Sequence, residues 1–251
     1  MADVQFKKAG LARALSKFGY CSRAQAFRFI RAGKVRVNGA VRRDPETPIH
    51  LGNDRIEIDG QQLAASKKIY LMLNKPRGII TTASDEKGRD TVYSLLGVDL
   101  PWVGPVGRLD KASEGLLLLT NDSEWAARIT APETHLDKTY HVQIGRIADN
   151  GLLELLMKGV RTHNEEVLFA KGASIIRQGG RNSWVEIILD EGKNRHIRRM
   201  LETLGIEVLR LIRVGIGPLV LGDLPKSAVR SVAPAEKLSL DGAMNRSAKN
   251  S

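Results

Sequence analysis

The chain has 251 residues, 42% of them hydrophobic and 27% charged, with 39 Lys and Arg against 28 Asp and Glu and a formal net charge of +11. That is enough for one large domain or for a small one joined to a medium one, of which the second is expected, and no apolar run approaches the roughly 20 residues of a membrane span, which excludes a membrane protein. The basic balance asks for a polyanionic partner bound with release of counterions, while the single Cys21 excludes an internal disulfide and a thiolate metal cluster.

At the front, Lys7 and Lys8 are not followed by an apolar stretch, so no secretory leader is expected and the cytoplasm is the expected compartment. Leu11, Leu15 and Phe18 fall on one face of a short helix that Gly19 would end. Ser22 with Gln25 has the form of a capping box, and the second helix it opens buries Phe27 and Ile30 before stopping at Gly33. Val35-Arg36-Val37 then meets Asn38-Gly39, a hairpin turn signal, and Arg55-Ile56-Glu57-Ile58 alternates ahead of Asp59-Gly60. Arg23, Arg28, Arg31, Lys34, Arg36, Arg42 and Arg43 crowd a stretch almost free of acids, a candidate face for RNA phosphates whose alternative is an ordinary solvated surface.

The order of these elements, with Gly19-Tyr20-Cys21-Ser22-Arg23 and Gly33-Lys34-Val35-Arg36-Val37-Asn38-Gly39, resembles the RNA-binding domain first described in ribosomal protein S-four, here over residues 10–63. Cys21 departs from the smaller residue common in that family and suits a small buried side chain. Residues 64–68, without large apolar side chains, are the expected linker.

From residue 69 to about 236 short alternating strands outnumber helices, the pattern of an α+β domain with a mixed or antiparallel sheet. The motif Gly107-Arg108-Leu109-Asp110-Lys111-Ala112-Ser113-Glu114-Gly115 turns between glycines and runs into the apolar Leu116 to Leu119. A carboxylate at the mouth of a buried strand suits a nucleophile, but Asp110 would equally suit a structural pair with Arg108 or Lys111 that fixes the turn. Lys138 and Tyr140 share one face of a strand continued by Val142 and Ile144, and a second strand alternates through Val185, Ile187 and Leu189. A helix capped by Asp149 is expected to run to about Lys158, and another lies between Asn121 and Thr130.

Further on, Ile197, Met200, Leu201 and Leu204 form an apolar helical stripe, with Arg195, Arg198 and Arg199 on the opposite side. There is no phosphate-binding loop and no dinucleotide fingerprint, and the five histidines are scattered, so neither cofactor nor metal is expected. Residues 237–251 are expected to be a disordered tail.

Together with Asn74-Lys75-Pro76-Arg77-Gly78 and Pro105-Val106, these segments resemble the ribosomal RNA pseudouridine synthases that carry an S-four-like domain at the N-terminus. The resemblance implies an isomerase acting without cofactor as a monomer on ribosomal RNA, with large-subunit RNA favoured. It makes Asp110 the catalytic residue, Arg108 the residue beside the flipped nucleotide and Tyr140 the ring that stacks on uracil. Lys193, Arg195 and Arg199 belong to its arginine-rich motif, Arg198 is its salt-bridge partner for Asp110, and Lys138 precedes the aromatic position. Ser113 and Ser123 stand where the family has Thr and Gly. Two rivals remain at this level: a non-catalytic RNA chaperone, and a glycosidic-bond hydrolase with Glu114 as second carboxylate.

Overall fold

In the computed structural model, which describes residues 8–63, 67–82, 88–97 and 100–247, the chain divides into two units. One holds residues 1–70 with 97–104 and 119–123, the other 71–96, 105–118 and 124–251.

The first unit runs β1 (Lys8–Gly10), α1 (Leu11–Lys17), α2 (Arg23–Arg31), β2 (Val35–Val37), β3 (Ala40–Arg42), β4 (Pro48–His50), β5 (Ile56–Ile58) and β6 (Gln61–Gln62). Strands β3-β2-β5-β6 form an antiparallel sheet, and β1 pairs with β4. The two helices follow from their ends. Ser22 accepts from the Gln25 backbone N–H at 3.2 Å while the Gln25 side chain accepts from the Ser22 N–H at 3.0 Å, so the capping box of α2 is complete, and such a cap contributes about 1 kcal/mol. Asn38 and Gly39 both take positive φ, 52° and 82°, as the tight hairpin requires. Leu11, Leu15, Ile30 and Cys21 are buried with Val35, Ile56 and Ile58, while Phe18 and Phe27 pack at the margin of this core rather than inside it. Each fully buried aliphatic side chain contributes about 1.5 to 3 kcal/mol.

Residues 64–66 of the expected linker lie outside the described residues. Lys67 and Lys68, its last two, are engaged: the Asn121 amide donates to the Lys67 carbonyl at 2.9 Å, and Lys68 faces Asp122 at 3.8 Å.

The remaining elements are β7 (Tyr70–Lys75), β8 (Gly104–Val106), β9 (Glu114–Thr120), α3 (Ser123–Thr130), β10 (Lys138–Ile144), α4 (Asn150–Lys158), β11 (Val160–Arg161), β12 (Val167–Leu168), β13 (Gly172–Gln178), β14 (Ser183–Leu189), α5 (His196–Thr203), β15 (Val208–Ile216), β16 (Leu219–Val220), β17 (Val229–Ser231) and α6 (Pro234–Ser247). A mixed sheet is ordered β13-β14-β10-β15-β9-β7-β17, with β8 beside β9 and β16 beside β15. Most pairs are antiparallel; β9 and β15 run parallel, Arg213 facing Gly115. Gly115 has φ +101°, and a Cβ there would sit 2.2 Å from the Arg213 carbonyl oxygen, so the close approach of these two strands requires glycine.

Helices α4 and α5 pack on one sheet face. Their Leu152, Leu156, Ile197, Met200 and Leu201 meet Val142, Ile144, Val185, Ile187 and Leu189 in a single buried cluster. Asp149 caps α4 as its position predicts, accepting from Leu152 N–H at 2.8 Å. The expected disordered tail is a correction: α6 continues to residue 247, and only 248–251 lie outside the described residues. Leu240 and Met244 are buried, and the Trp125 indole of α3 donates to Asp241 at 2.8 Å, contacts that polar composition alone conceals. Among the described residues no helix is long and apolar enough to cross a membrane.

Candidate active site

The motif between Gly107 and Gly115 folds as a turn in which the five carbonyls from Leu109 to Ser113 are engaged. Thr81 Oγ1 donates to the Leu109 carbonyl at 2.7 Å, the Ser113 N–H to that of Asp110 at 2.9 Å, and the Gly78 N–H to that of Lys111 at 2.7 Å. Arg198 Nη2 donates to the Ala112 carbonyl at 3.0 Å. Lys75, with no exposed surface, donates from Nζ to the carbonyls of Ser113, Asp110 and Pro76 at 2.9, 3.2 and 3.1 Å. Burial pushes the Lys75 ammonium down to about 8, opposed by the nearby charges of Asp110 and Glu114.

Backbone bonds and two cations therefore set the turn, and the Asp110 side chain is not spent on it. Among the described residues the half-buried carboxylate has neither hydrogen bond nor ion pair, so the alternative of a structural pair with Arg108 or Lys111 is not realised. The expected direct salt bridge from Arg198 is a correction as well. Its Nη2 is taken up by the Ala112 carbonyl, two residues away, and Asp110 acts on it through space; burial and the Arg195 and Arg77 charges hold Arg198 below the usual guanidinium range.

Asp110 lines a cleft of about 500 Å³ together with Arg108, Lys138, Tyr140, Lys193 and Arg195. Six of the residues expected from the sequence thus converge on one concave surface. Tyr140 leaves β10 at the edge of the buried cluster, packs against it and also lines the cleft. Lys138 donates to the Asp190 carbonyl at 3.3 Å, and burial first, then the Arg213 charge, lowers its pKa. Arg195, in the left-handed region at φ 48°, precedes α5 and stays exposed.

Arg198 and Arg199 do not line the cleft. Arg199 is ion-paired to Glu166, a residue distant in sequence and invisible to helical spacing, and Lys193, which does line the cleft, pairs with Glu166 and Glu191 as well. Glu114 is also out of play as a second carboxylate: Arg210 holds it through two bonds of 3.0 Å, and Lys226 lies at 3.2 Å. Burial alone would raise the Glu114 pKa, but these two cations bring it below the usual value, so it is no general acid.

In the first unit Arg23, Arg28, Arg31, Lys34, Arg36, Arg42 and Arg43 are all exposed. Lys34 reaches Asp59 at 3.6 Å and lies over the Phe29 ring, and Arg36 donates to the Gly39 carbonyl at 3.1 Å.

Three cleft or turn residues escape sequence reasoning. Lys75 reads as part of a motif with no assigned task. His196, only 3% exposed, lines the cleft with neither ring nitrogen hydrogen-bonded, and burial lowers its pKa. Arg213 occupies an inward position on β15 between buried Leu211 and Gly215. A charged residue at apolar parity was the one signal that marks Arg213 in the sequence.

The chain is similar to known proteins over most of its length. The family model for RNA pseudouridylate synthase matches residues 69–203, and that for the S4 domain matches residues 10–56. Ribosomal large subunit pseudouridine synthase B of Bacillus subtilis is 35% identical over 227 residues, covering 90% of this chain and 93% of its own. An RNA pseudouridine synthase of Rickettsia bellii is 39% identical, covering 88% and 96%. A crystal structure of a pseudouridylate synthase superposes with a TM-score of 0.65 at 29% identity, covering 92% of this chain and 99% of its own.

Proposed function

The chain belongs to the RNA pseudouridylate synthase family, and from that premise we propose that it isomerises a uridine of large-subunit ribosomal RNA, with Asp110 as the catalytic carboxylate. The observation that carries this reading is the Asp110 side chain: unpaired among the described residues, on a turn fixed by other groups, in a cleft shared with Tyr140. The relative named for the large ribosomal subunit supports the choice of RNA.

Isomerisation exchanges the C1′–N1 bond for a C1′–C5 bond within one nucleotide, so it calls for no external electron or group donor. A carboxylate serves either by adding to the uracil ring or by meeting C1′ as the base departs, and both tasks need an ionised, reachable oxygen. Because the target must leave the stack, which costs a few kcal/mol, loops and partly folded RNA are the favoured substrates. In this reading the Tyr140 ring stacks on the uracil and exposed Arg108 fills the gap left in the RNA. Lys138, Lys193 and Arg195 face phosphates, and Arg198 is a positioning residue acting through the Ala112 carbonyl. The basic surface of the first unit supplies sequence-independent grip through Arg23, Arg28, Arg31, Lys34 and Arg36. A ribosomal RNA substrate makes the cytoplasm the workplace.

The test uses ribosomal RNA fragments carrying uridine tritiated at C5. Wild-type protein should release tritium without free uracil, and Asp110→Asn should abolish release while RNA affinity stays within several-fold. Free uracil would mean hydrolysis, and undiminished turnover by the variant would overturn the assignment of Asp110.

A further inference from the structure

Arg213 is 7% exposed, yet it lines the same cleft as Asp110 and Tyr140. Its strand neighbour across the β10–β15 pair is Tyr140, so the two side chains leave adjacent backbone positions on the same sheet face. Nε donates to the Leu116 carbonyl at 2.8 Å, which fixes the plane of the guanidinium. Nη2 is buried with no hydrogen-bond partner, and among the described residues no carboxylate forms an ion pair with this side chain. Burying a guanidinium is unfavourable unless its N–H groups and its charge are answered. The neighbouring Lys138 registers the excess: its pKa is lowered by burial and next by the Arg213 charge. The guanidinium charge is therefore unanswered among the described residues, and of its two terminal nitrogens Nη1, which is not closed off as Nη2 is, is the one that an acceptor in the cleft can meet.

We propose that Arg213 is a further catalytic residue, donating from a terminal guanidinium nitrogen to the uracil carbonyl oxygen on which negative charge collects during isomerisation. The proposal rests on the function inferred above, and the chemistry of that reaction supplies the missing acceptor whichever way it begins. If the Asp110 carboxylate adds to C6, the C5–C6 π pair moves toward C4 and its oxygen becomes an enolate. If instead C1′–N1 breaks first, its electron pair leaves with the ring and is shared by N1, O2 and O4 while the carboxylate answers the electron-poor C1′. On the first path C1′–N1 then breaks, the ring turns and C5 bonds to C1′, and loss of the C5 proton expels the carboxylate from C6; on the second the ring turns, C5 attacks C1′ and frees the carboxylate, and C5 loses its proton. On both, that proton goes to solvent and N1 takes one up. The anion exists only between these steps, and a fixed cationic donor beside the stacking ring favours it over the neutral nucleotide.

The experiment compares wild type, Arg213→Gln and Arg213→Lys in single-turnover reactions on two RNA fragments, one with uridine and one with 5-fluorouridine at the target. Consumption of the target nucleoside is followed by chromatography after nuclease digestion, because fluorine replaces the C5 hydrogen that the reaction must shed and the second RNA cannot yield pseudouridine itself. Fluorine withdraws electrons and stabilises the ring anion by itself. Arg213→Gln is expected to lose about 100-fold on uridine RNA and less than about tenfold on 5-fluorouridine RNA, with RNA affinity within about threefold of wild type. Arg213→Lys, which keeps the charge and a donor for Leu116, should fall between them, and it carries the comparison should the Gln variant fail to fold. Equal losses on both RNAs would show that Arg213 only ties β15 to β9, and a loss under threefold on uridine RNA would likewise overturn the proposal. Failure of wild type to isomerise the uridine RNA would instead refute the underlying function.

Discussion

Replacing Lys75 by Met separates what a buried ammonium costs from what it holds in place. The fall of its pKa from 10.5 to about 8 corresponds to about 3 kcal/mol against the charged form in the folded protein. Against that stand three hydrogen bonds to the carbonyls of Pro76, Asp110 and Ser113, each worth about 1.5 to 3 kcal/mol when the donor is charged. Lys75→Met should therefore lose roughly 2 to 5 kcal/mol at pH 7, because unanswered carbonyls outweigh the relief of desolvation. The pH dependence is more decisive. The folded chain sheds this proton near pH 8 and the unfolded chain near 10.5, so between those values the unfolded state binds more protons and folding stability rises with pH. Urea unfolding of both proteins from pH 7 to 10.5 should show the wild-type advantage growing by about 3 kcal/mol across that window, other titrations cancelling in the difference. A difference that stays flat with pH, or a variant as stable as wild type at pH 7, would refute the reasoning.

Gly115→Ala should destabilise the second unit by about 3 kcal/mol or more, since the new methyl meets the Arg213 backbone at 2.2 Å and φ is +101°; a melting temperature within a few degrees of wild type would contradict this. His196 is kept neutral by burial with its pKa below 6.5, so the unfolded chain takes up a proton that the folded chain refuses, and stability falls as pH drops below 6.5. Glu191 and Glu166 oppose that shift while Lys193 and Arg199 add to it, and His196→Gln should flatten the loss between pH 7 and 5 when followed by chemical denaturation. Removing both Arg28 and Arg31 as Ala should weaken RNA binding and reduce the slope of log affinity against log salt by about 2; an unchanged slope would mark them as ordinary solvated side chains.

Local signals fixed much of this protein in advance. The capping box at Ser22, the Asn38-Gly39 turn, the Asp149 cap and the alternation through Tyr140, Val142 and Ile144 involve neighbours within a few residues, and each forms as its spacing requires. The glycine-flanked turn placed Asp110 at the mouth of a buried strand by the same kind of short-range reasoning. Whether that carboxylate would be spent on the turn depended on partners far away, which hold the turn by its carbonyls instead: Lys75 from 35 residues before Asp110 and Arg198 from 86 residues beyond Ala112. The helical face that grouped Arg195, Arg198 and Arg199 was likewise divided among an exposed cleft position, the Ala112 carbonyl and Glu166. The C-terminal segment looked too polar to fold, yet it is held by Trp125 and by the burial of Leu240 and Met244. Backbone geometry and periodicity are properties of adjacent residues and can be read from order alone. Which buried charge finds a partner depends on strands and helices brought together from opposite ends of the chain, and only the folded arrangement decides it.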